Sequence, residues 1–381
     1  MARQAILSGN RDLFGRFILP GFVFKAAIIG GGYATGREMA TFFLPSGPLG
    51  GLFAIGTALV VWSTVCALTF LFAYVTQARD YRTFSRRLLG PCWWIFDAAF
   101  FLAMILFLAA FVAAAGSVGT ALFDWGVLGG SLLLMGCIML VTAFGNTMVE
   151  NVFRYTSIFL YATYIVFFIL AISTFGSSRI VDSLSANVPT TNWFVGGLTF
   201  AGYNIIGVIL VLPVTRHFRS RRDAVVAGVL AGPMAMIPGL LFFLCMTVFY
   251  AEIGNEVLPS DFLLLQLDQP IFRLVFQFMI FVALFESGVS VVNSFNERVS
   301  HAWSEYRGTE FRPGIRLAVT ALVLAVSLFI AYRIGFVGLV ADGYRWVAYI
   351  FLYIFVLPLL TYGVWFLSRS GRSAGRVGRT D

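Results

Sequence analysis

The sequence contains few of the residues on which soluble enzymes and metalloproteins rely. Charged residues make up 12% of the 381 residues, about half of the roughly 25% found in soluble domains. There are two histidines, and the four cysteines are not paired at metal-binding or redox spacing. The HExxH, P-loop and acidic-cluster patterns are also missing. We therefore expect a protein that is not an enzyme, holds no metal site or cofactor, and does not use ATP by itself.

Lysine is almost absent, because 25 of the 26 basic residues are arginines and Lys25 is the exception. The net charge of +8 could indicate a nucleic-acid partner, but no basic and aromatic module is present. The arginines instead concentrate in every second connection between apolar segments, as cytoplasmic loops do. The pattern predicts no nucleic-acid partner and a multi-pass protein of the cytoplasmic (inner) membrane, with both termini in the cytoplasm.

What the sequence does have is apolar length, with 59% hydrophobic residues and a mean hydropathy of +0.88. A membrane-spanning helix needs about 20 mostly apolar residues. Ten segments, called spans 1 to 10, qualify and predict an all-α polytopic fold in the lipid bilayer. Their approximate bounds are 18–43, 49–77, 91–122, 126–145, 150–175, 193–217, 223–250, 271–302, 312–333 and 345–368.

Spans 1 and 6 carry polar and glycine-rich interruptions at their centres, GGGYATGREM and FAGYNIIGVI. Three successive glycines favour local unwinding, and unwound backbone in a membrane must be buried in protein or line a polar cavity. An alternative is that the glycines only allow close helix packing. We expect a substrate site at Gly30, Gly31, Gly32, Tyr33, Ala34, Thr35, Gly36, Phe200, Ala201, Gly202, Tyr203 and Asn204.

The two halves of a broken helix have opposite polarity at the break. The amides of Thr35, Gly36 and Arg37 would open the second half-helix of span 1 and favour an anion such as a carboxylate. The carbonyls near 28–31 would favour a cation.

The two interruptions also indicate an internal repeat. Each has a Gly-Tyr pair, Gly32-Tyr33 and Gly202-Tyr203, and weaker similarities link span 3 with span 8 and span 5 with span 10. The second member follows five spans after the first, so the second half has inverted topology, as in many secondary transporters. The predicted units are a five-helix repeat at 1–175, a second at 176–368, and a basic cytoplasmic tail at 369–381.

Ionisable residues inside a membrane indicate function by default. Glu286 in span 8, with Ser287 and Ser290 nearby, either couples transport to an ion or pairs with a buried cation. Lys25 is either a coupling residue and partner of Glu286, or it extends to the cytoplasmic surface.

Three further charges are expected to gate or support the site. Arg37 and Glu38 are expected to form a mutual pair that closes its outer side; alternatively, Glu38 hydrogen-bonds across to span 6 or span 10. Asp97 is expected at an inner gate, paired with an arginine of the cytoplasmic connections, and Arg154 is a candidate partner. Residues 177–192 are expected to form a loop, and a short helix beginning at Pro259 is either an outer lid or a surface helix.

The run IIGGGYATGREMATFF resembles the first-helix motif of the YkvI family of bacterial membrane proteins, and NSFNERV at 293–299 and LPLLTYG at 357–363 are similar to that family too. The family is placed in the amino acid–polyamine–cation (APC) superfamily. The resemblance implies a LeuT-like, five-plus-five inverted repeat, with helices 1 and 6 broken at mid-membrane. It also implies transport of amino acids or amines driven by sodium or protons.

In sodium-coupled relatives the ion lies between the helix 1 break and hydroxyls of helix 8, which corresponds here to a possible Na⁺ near Gly30, Ser287 and Ser290. Glu286 departs from that hydroxyl pattern and favours a proton over sodium. The sequence therefore predicts an ion-coupled secondary transporter, a symporter of a small zwitterionic solute. The alternatives are a non-transporting amino-acid receptor on the same scaffold and a facilitator or channel. The oligomeric state stays open.

Overall fold

The structure is a computed structural model, and it describes residues 13–144, 147–308 and 312–377. Side chains are described outside 143–157, 301–302 and 371–377. The described residues are almost entirely helical and contain no strand. This confirms the all-α prediction.

Ten membrane-length spans follow one another in the described residues, as the hydropathy pattern predicts. Their helices are Leu19–Ile28, Gly31–Ala34 and Arg37–Phe42 in span 1, then Gly47–Thr76, Trp93–Phe123, Gly126–Phe144 and Thr147–Phe175 in spans 2 to 5, Trp193–Asn204 with Ile205–His217 in span 6, Arg221–Thr247, Pro270–Arg307 and Pro313–Gly338 in spans 7 to 9, and Tyr344–Phe351 continuing through π-helical turns to Val364–Val377 in span 10. The tail predicted at 369–381 is therefore helical up to Val377.

Seven helical stretches of this part of the chain are long and apolar enough to cross a membrane. One of them, Pro313–Ser370, has 58 residues and would extend about 87 Å as a single helix, against a hydrocarbon core of about 30 Å. Non-helical torsions at Gly335 (φ 79°, ψ 163°) divide it into spans 9 and 10.

The spans pack in two groups. Spans 6 and 7 each contact both span 1 and span 2, whereas spans 3, 4, 8 and 9 all contact one another. Each group contains the corresponding spans of both predicted halves, the arrangement that an inverted repeat produces. Small residues allow the closest contacts: a Cβ on Gly228 of span 7 would meet the backbone of Ala67 in span 2, and one on Gly130 of span 4 would meet the backbone of Ala115 in span 3.

Several shorter helices lie between the spans. Tyr81–Leu89 lies on the face to which the arginine-rich connections belong, here named the arginine face. Pro259–Gln266, named the lid helix, lies on the opposite face, named the lid face. Residues 177–192 were expected to form a loop, but Ser177–Ser185 is helical. The serine-rich composition concealed this helix, which is held by burial of Ile180 and a 2.9 Å hydrogen bond from Ser183 Oγ to Thr247 Oγ1.

Candidate functional site

Span 1 is interrupted in its middle, as predicted. Ile29 (φ −73°, ψ 79°) and Gly30 (φ −108°, ψ −161°) leave the helical conformation, and the Gly30 amide donates to the carbonyl of Ile28 at 2.7 Å. The helix restarts at Gly31, earlier than the predicted start around Thr35. A second irregularity follows at Gly36, whose φ of 76° is left-handed and favours glycine. Span 1 therefore has two interruptions separated by one helical turn.

The glycines of this interruption face protein. A Cβ on Gly31 would meet the Leu284 side chain, and one on Gly32 would meet the carboxyl of Glu38. Gly30 faces Phe111 and Ser287. The unwound backbone is therefore buried where span 1 crosses spans 3 and 8, as exclusion from lipid requires.

Span 6 changes its helix type where the sequence predicts a break. The α-helix Trp193–Asn204 continues directly into a 3₁₀-helix, Ile205–His217, and Asn204 keeps helical torsions (φ −72°, ψ −18°). Two side chains donate hydrogen bonds to backbone carbonyls just before this junction. Asn204 Nδ2 donates to the Phe200 carbonyl at 3.1 Å, and Trp62 Nε1 donates to the Ala201 carbonyl at 3.3 Å. The expected interruption is thus a change of helical pitch.

A cavity of about 330 Å³ lies beside the span 1 interruption, between spans 1, 3, 6 and 8. Its polar groups come mainly from span 8, and the rest of its wall is apolar. The lining residues are Val23, Ala26, Ala27, Phe100, Met104, Phe107, Phe111, Ile206, Gly207, Leu210, Glu286, Ser287, Ser290, Val291 and Ser294.

A second cavity of about 720 Å³ adjoins the first on the arginine face. The two share Phe100, Leu210 and Ser294 as lining residues. At the outer end of the larger cavity Arg82 and Glu305 are 42% and 74% exposed, with 3.9 Å between Nη2 and Oε2. The inner cavity, whose span 1 lining ends about one turn before the interruption, is therefore adjoined on the arginine face by a wide vestibule.

Three of the four residues expected to couple an ion, Glu286, Ser287 and Ser290, lie on the wall of the inner cavity, and Lys25 does not line it. Glu286 and Ser287 are half-buried, and Ser290 Oγ donates to the Glu286 carbonyl at 2.9 Å. Lys25 is 2% exposed, so it does not extend to the surface, and its Nζ lies 3.5 Å from the centre of the Tyr161 ring. Lys25 and Glu286 interact electrostatically, without a salt bridge within 4.0 Å in the described part of the chain.

The residues expected to bind substrate are all buried, and most are in aromatic packing. Phe200 lies 4.5 Å from Phe43 and 5.3 Å from Trp62, and Tyr203 lies 4.7 Å from Tyr344, between ring centres. In the described chain the cavity is lined instead by neighbouring residues one or two turns nearer the arginine face, which the sequence reasoning missed. Their signal was weak, because Val23, Ala26, Ala27, Ile206 and Gly207 look like ordinary membrane-helix residues.

The lid face of the site is closed. The lid-helix amide of Ser260 donates to the carbonyl of Thr35 at 2.9 Å, inside the span 1 interruption. Arg37 Nη1 donates to the carbonyls of Gly254 and Glu256 at 3.2 and 2.6 Å. Residues 254–258 before the lid helix are named the lid-side loop, and this loop and the lid helix together are named the lid segment. The contacts connect the lid segment to the second half of span 1.

Arg37 and Glu38 do not form the expected mutual pair. Arg37 extends to the lid-side loop, whereas Glu38 turns inward beside the side chains of Tyr203 and Asn204. Successive residues of a helix point about 100° apart, so the two side chains diverge.

Asp97 does lie at the vestibule, but its partner comes from span 8. Arg298 Nε is 3.8 Å from Asp97 Oδ1, and the guanidinium carbon lies 3.8 Å from the Phe100 ring centre and 4.1 Å from that of Tyr81. The side chain of Arg154, the expected partner, is outside the described residues.

Solved structures resemble the chain over most of its length. MhsT in complex with L-phenylalanine matches with a TM-score of 0.55 at 14% identity, covering 89% of this chain and 88% of that one. Mhp1 in its inward-facing conformation matches at 0.54 and 14%, covering 89% and 76%. A mutant of the Eremococcus coleocola manganese transporter matches at 0.53 and 14%, covering 90% and 77%. No protein-family model and no curated protein sequence matches the chain.

These similarities, with the ten spans and the interrupted span 1, define a polytopic membrane protein of the LeuT-like fold. At 14% identity they establish the fold alone. The function must be argued from the cavities and the residues around them.

Proposed function

We propose that the protein is an ion-coupled secondary transporter that moves a small zwitterionic solute, an amino acid or related amine, by alternating access. The main observation behind this proposal is that the arginine face and the lid face differ around span 1. Two adjoining cavities extend from the arginine face to the residues beside the interruption, whereas the lid helix contacts the interruption from the other face. A site with access from one side at a time is what alternating access requires.

The polarity of the inner cavity supports the solute class. The Glu286 carboxyl is suited to an ammonium group, and the hydroxyls of Ser287 and Ser290 offer hydrogen bonds. Phe107, Phe111, Met104 and Val291 provide apolar surface for a small side chain. The structure of MhsT with L-phenylalanine gives a precedent for an amino acid on this fold.

Proton coupling is proposed in preference to sodium coupling. Glu286 lines the cavity with Lys25 buried nearby, so a change in the protonation of either group alters the charge of the cavity. In the sodium alternative, the ion would lie near Gly30, Ser287 and Ser290, and Ser287 Oγ does face Gly30.

The proposal includes the orientation and the family. The arginine face is taken as cytoplasmic, so the described state is inward-open, in the inner membrane with both termini inside. Membership of the YkvI family in the APC superfamily is supported by the GGGYATGRE motif, whose glycines at 31, 32 and 36 each occupy a position where a Cβ would collide.

The test is counterflow in proteoliposomes. Purified protein is screened by thermal shift against amino acids and amines, and the solute that stabilises it most is used in labelled form. We expect saturable counterflow. We also expect net accumulation of the solute when an inwardly directed proton gradient is applied in sodium-free buffer. Accumulation that requires a sodium gradient would identify sodium as the coupling ion. Binding without counterflow would identify a receptor, and non-saturable flux would identify a channel.

A further inference from the structure

Glu38 is a charged-type side chain buried on the closed side of the site. It follows the second interruption of span 1 and is 3% exposed. Its carboxyl packs against Gly32 of the same span and lies beside Tyr203 and Asn204 of span 6. The mechanism proposed above does not use it.

The groups that face Glu38 are neutral. They are the tyrosines Tyr33 of span 1, Tyr164 of span 5, Tyr203 of span 6 and Tyr344 of span 10, together with Asn204. The Tyr33 hydroxyl donates to the Ala235 carbonyl at 2.9 Å and accepts from the Gly239 amide at 2.5 Å, and the Tyr164 hydroxyl donates to the Ala34 carbonyl at 3.4 Å. Two of the four hydroxyls are thus engaged elsewhere.

The nearest charged side chains do not compensate Glu38. Arg37 is directed to the lid-side loop. Asp342 and Arg345, next to span 10, are 75% and 49% exposed and pair with each other at 3.8 Å. No salt bridge to Glu38 exists within 4.0 Å in 13–144, 147–308 and 312–370.

Two buried oxygens of this cluster lack a hydrogen-bond partner among the described residues, Glu38 Oε2 and the Tyr203 hydroxyl. By contrast, the buried carboxyl of Asp223 has Arg16 at 2.7 Å and that of Asp261 has Arg273 at 2.7 Å. An isolated ionised carboxylate in such a place is strongly disfavoured, and a buried carboxyl without a cation takes up a proton instead.

We propose that Glu38 is a proton-binding site separate from Glu286, protonated while the lid is closed and opened to proton exchange when the lid segment moves. The protonation is a property of the cluster itself, whereas its use in coupling rests on the proposed transport function.

The aromatic packing explains why the two carboxyls are separate sites. Phe107 lines the inner cavity together with Glu286, and its ring lies 5.1 Å from that of Tyr344 and 6.4 Å from that of Tyr203. Phe107 therefore stands between the open cavity and the Glu38 cluster. On the other side, the contacts of Arg37 and Ser260 join the backbone next to Glu38 to the lid segment. Movement of the lid segment thus displaces the wall that separates Glu38 from the lid face.

Infrared spectroscopy of the full-length protein in lipid tests the protonation directly. At neutral pH, we expect the C=O stretching band of a protonated carboxyl, shifted in D₂O, in the wild type. This band should be lost in Glu38→Gln and kept in Glu252→Gln, a control at an exposed position of the short helix Tyr250–Ile253. A wild-type spectrum without the band, or a band that Glu38→Gln leaves in place, would overturn the proposal.

A second variant covers the case in which Glu38→Gln does not fold. Glu38→Asp keeps a carboxyl at this position on a side chain that is one methylene shorter, so the same band should change its frequency; an unchanged frequency counts against the assignment. In proteoliposomes, Glu38→Gln should also change the pH profile of uptake. Absence of counterflow for the wild type, with the infrared band present, would reject the transport function and leave the protonation of Glu38 standing.

Discussion

The contact between Asp261 of the lid helix and Arg273 of span 8 gives the sharpest test of the closed lid. Asp261 accepts two hydrogen bonds from the Arg273 guanidinium at 2.7 and 2.8 Å and a third from Gln277 Nε2 at 2.8 Å. Arg273 Nη2 also donates to the Ala121 carbonyl at the end of span 3, at 2.9 Å. The lid helix is thereby attached to both span 8 and span 3.

The magnitude follows from the exposure of the pair. The side chains of Arg273 and Asp261 are 25% and 12% exposed. The pair lies between surface salt bridges, which contribute up to about 1 kcal/mol, and buried pairs, whose disruption costs about 3–5 kcal/mol. We therefore expect Asp261→Asn to destabilise the closed lid by about 2 kcal/mol, which raises the ratio of open to closed lid about 30-fold.

Double electron–electron resonance, which measures the distance between two spin labels, provides the assay. Spin labels at Leu265→Cys on the lid helix and Phe123→Cys at the end of span 3 report the separation of two exposed positions. The exposed native Cys92 is replaced by serine. Asp268→Asn is the matched control, because Asp268 is exposed in the same segment, and its φ of 50° suits asparagine. Identical distance distributions for Asp261→Asn and the wild type would refute the reasoning.

Three further outcomes are expected. Gly36→Ala should lower stability by about 1–2 kcal/mol because of its left-handed φ, and a collision with Phe242 should add to the loss. The control Gly56→Ala should leave stability unchanged, because a Cβ there meets no neighbouring atom within 4 Å. Thermal unfolding in detergent compares the two variants. Glu286→Gln should abolish uptake driven by a pH gradient, while solute binding is weakened but persists through Ser287, Ser290 and the apolar wall of the cavity; unchanged uptake would remove Glu286 from coupling. Trp62→Phe should cost about 0.5–1.5 kcal/mol of stability by removing one of the two hydrogen bonds to the Ala201 carbonyl, which keeps the Ile205 amide as a donor; an unchanged melting temperature would contradict this.

The interruption of span 1 was predictable because its cause is local. Glycine torsions and the exclusion of bare backbone from lipid act within a few residues: Gly36 shows the first effect in its left-handed φ, and the burial of Gly30 and Gly31 shows the second. The ten spans were predictable for a similar reason, since length and hydropathy are properties of each segment alone. The predicted end of span 9 at 333 lies two residues before the non-helical Gly335.

The features that sequence reasoning missed depend on distant residues. Span 6 stays helical with Trp62 of span 2 bonded to its Ala201 carbonyl. The partner of Asp97 is Arg298, two hundred residues away in the chain. The burial of Lys25 depends on packing against Tyr161. None of these pairings leaves a signal in a single sequence.

The cavity illustrates a different limit, because its position depends on the conformational state as well as on the residues. The same spans pack tightly around Tyr203 on the lid face and separate around Gly207 on the arginine face. The sequence predicts the crossing region of the spans without indicating which side of it is open.

Arg37 recognises the lid-side loop only through the main-chain oxygens of Gly254 and Glu256, and Ser260 reaches Thr35 through its amide. Neither contact depends on which side chains the loop carries. Substitutions at the exposed positions 255–257 should therefore be tolerated over evolutionary time, whereas insertions and deletions there should be selected against, since they displace the oxygens that Arg37 requires.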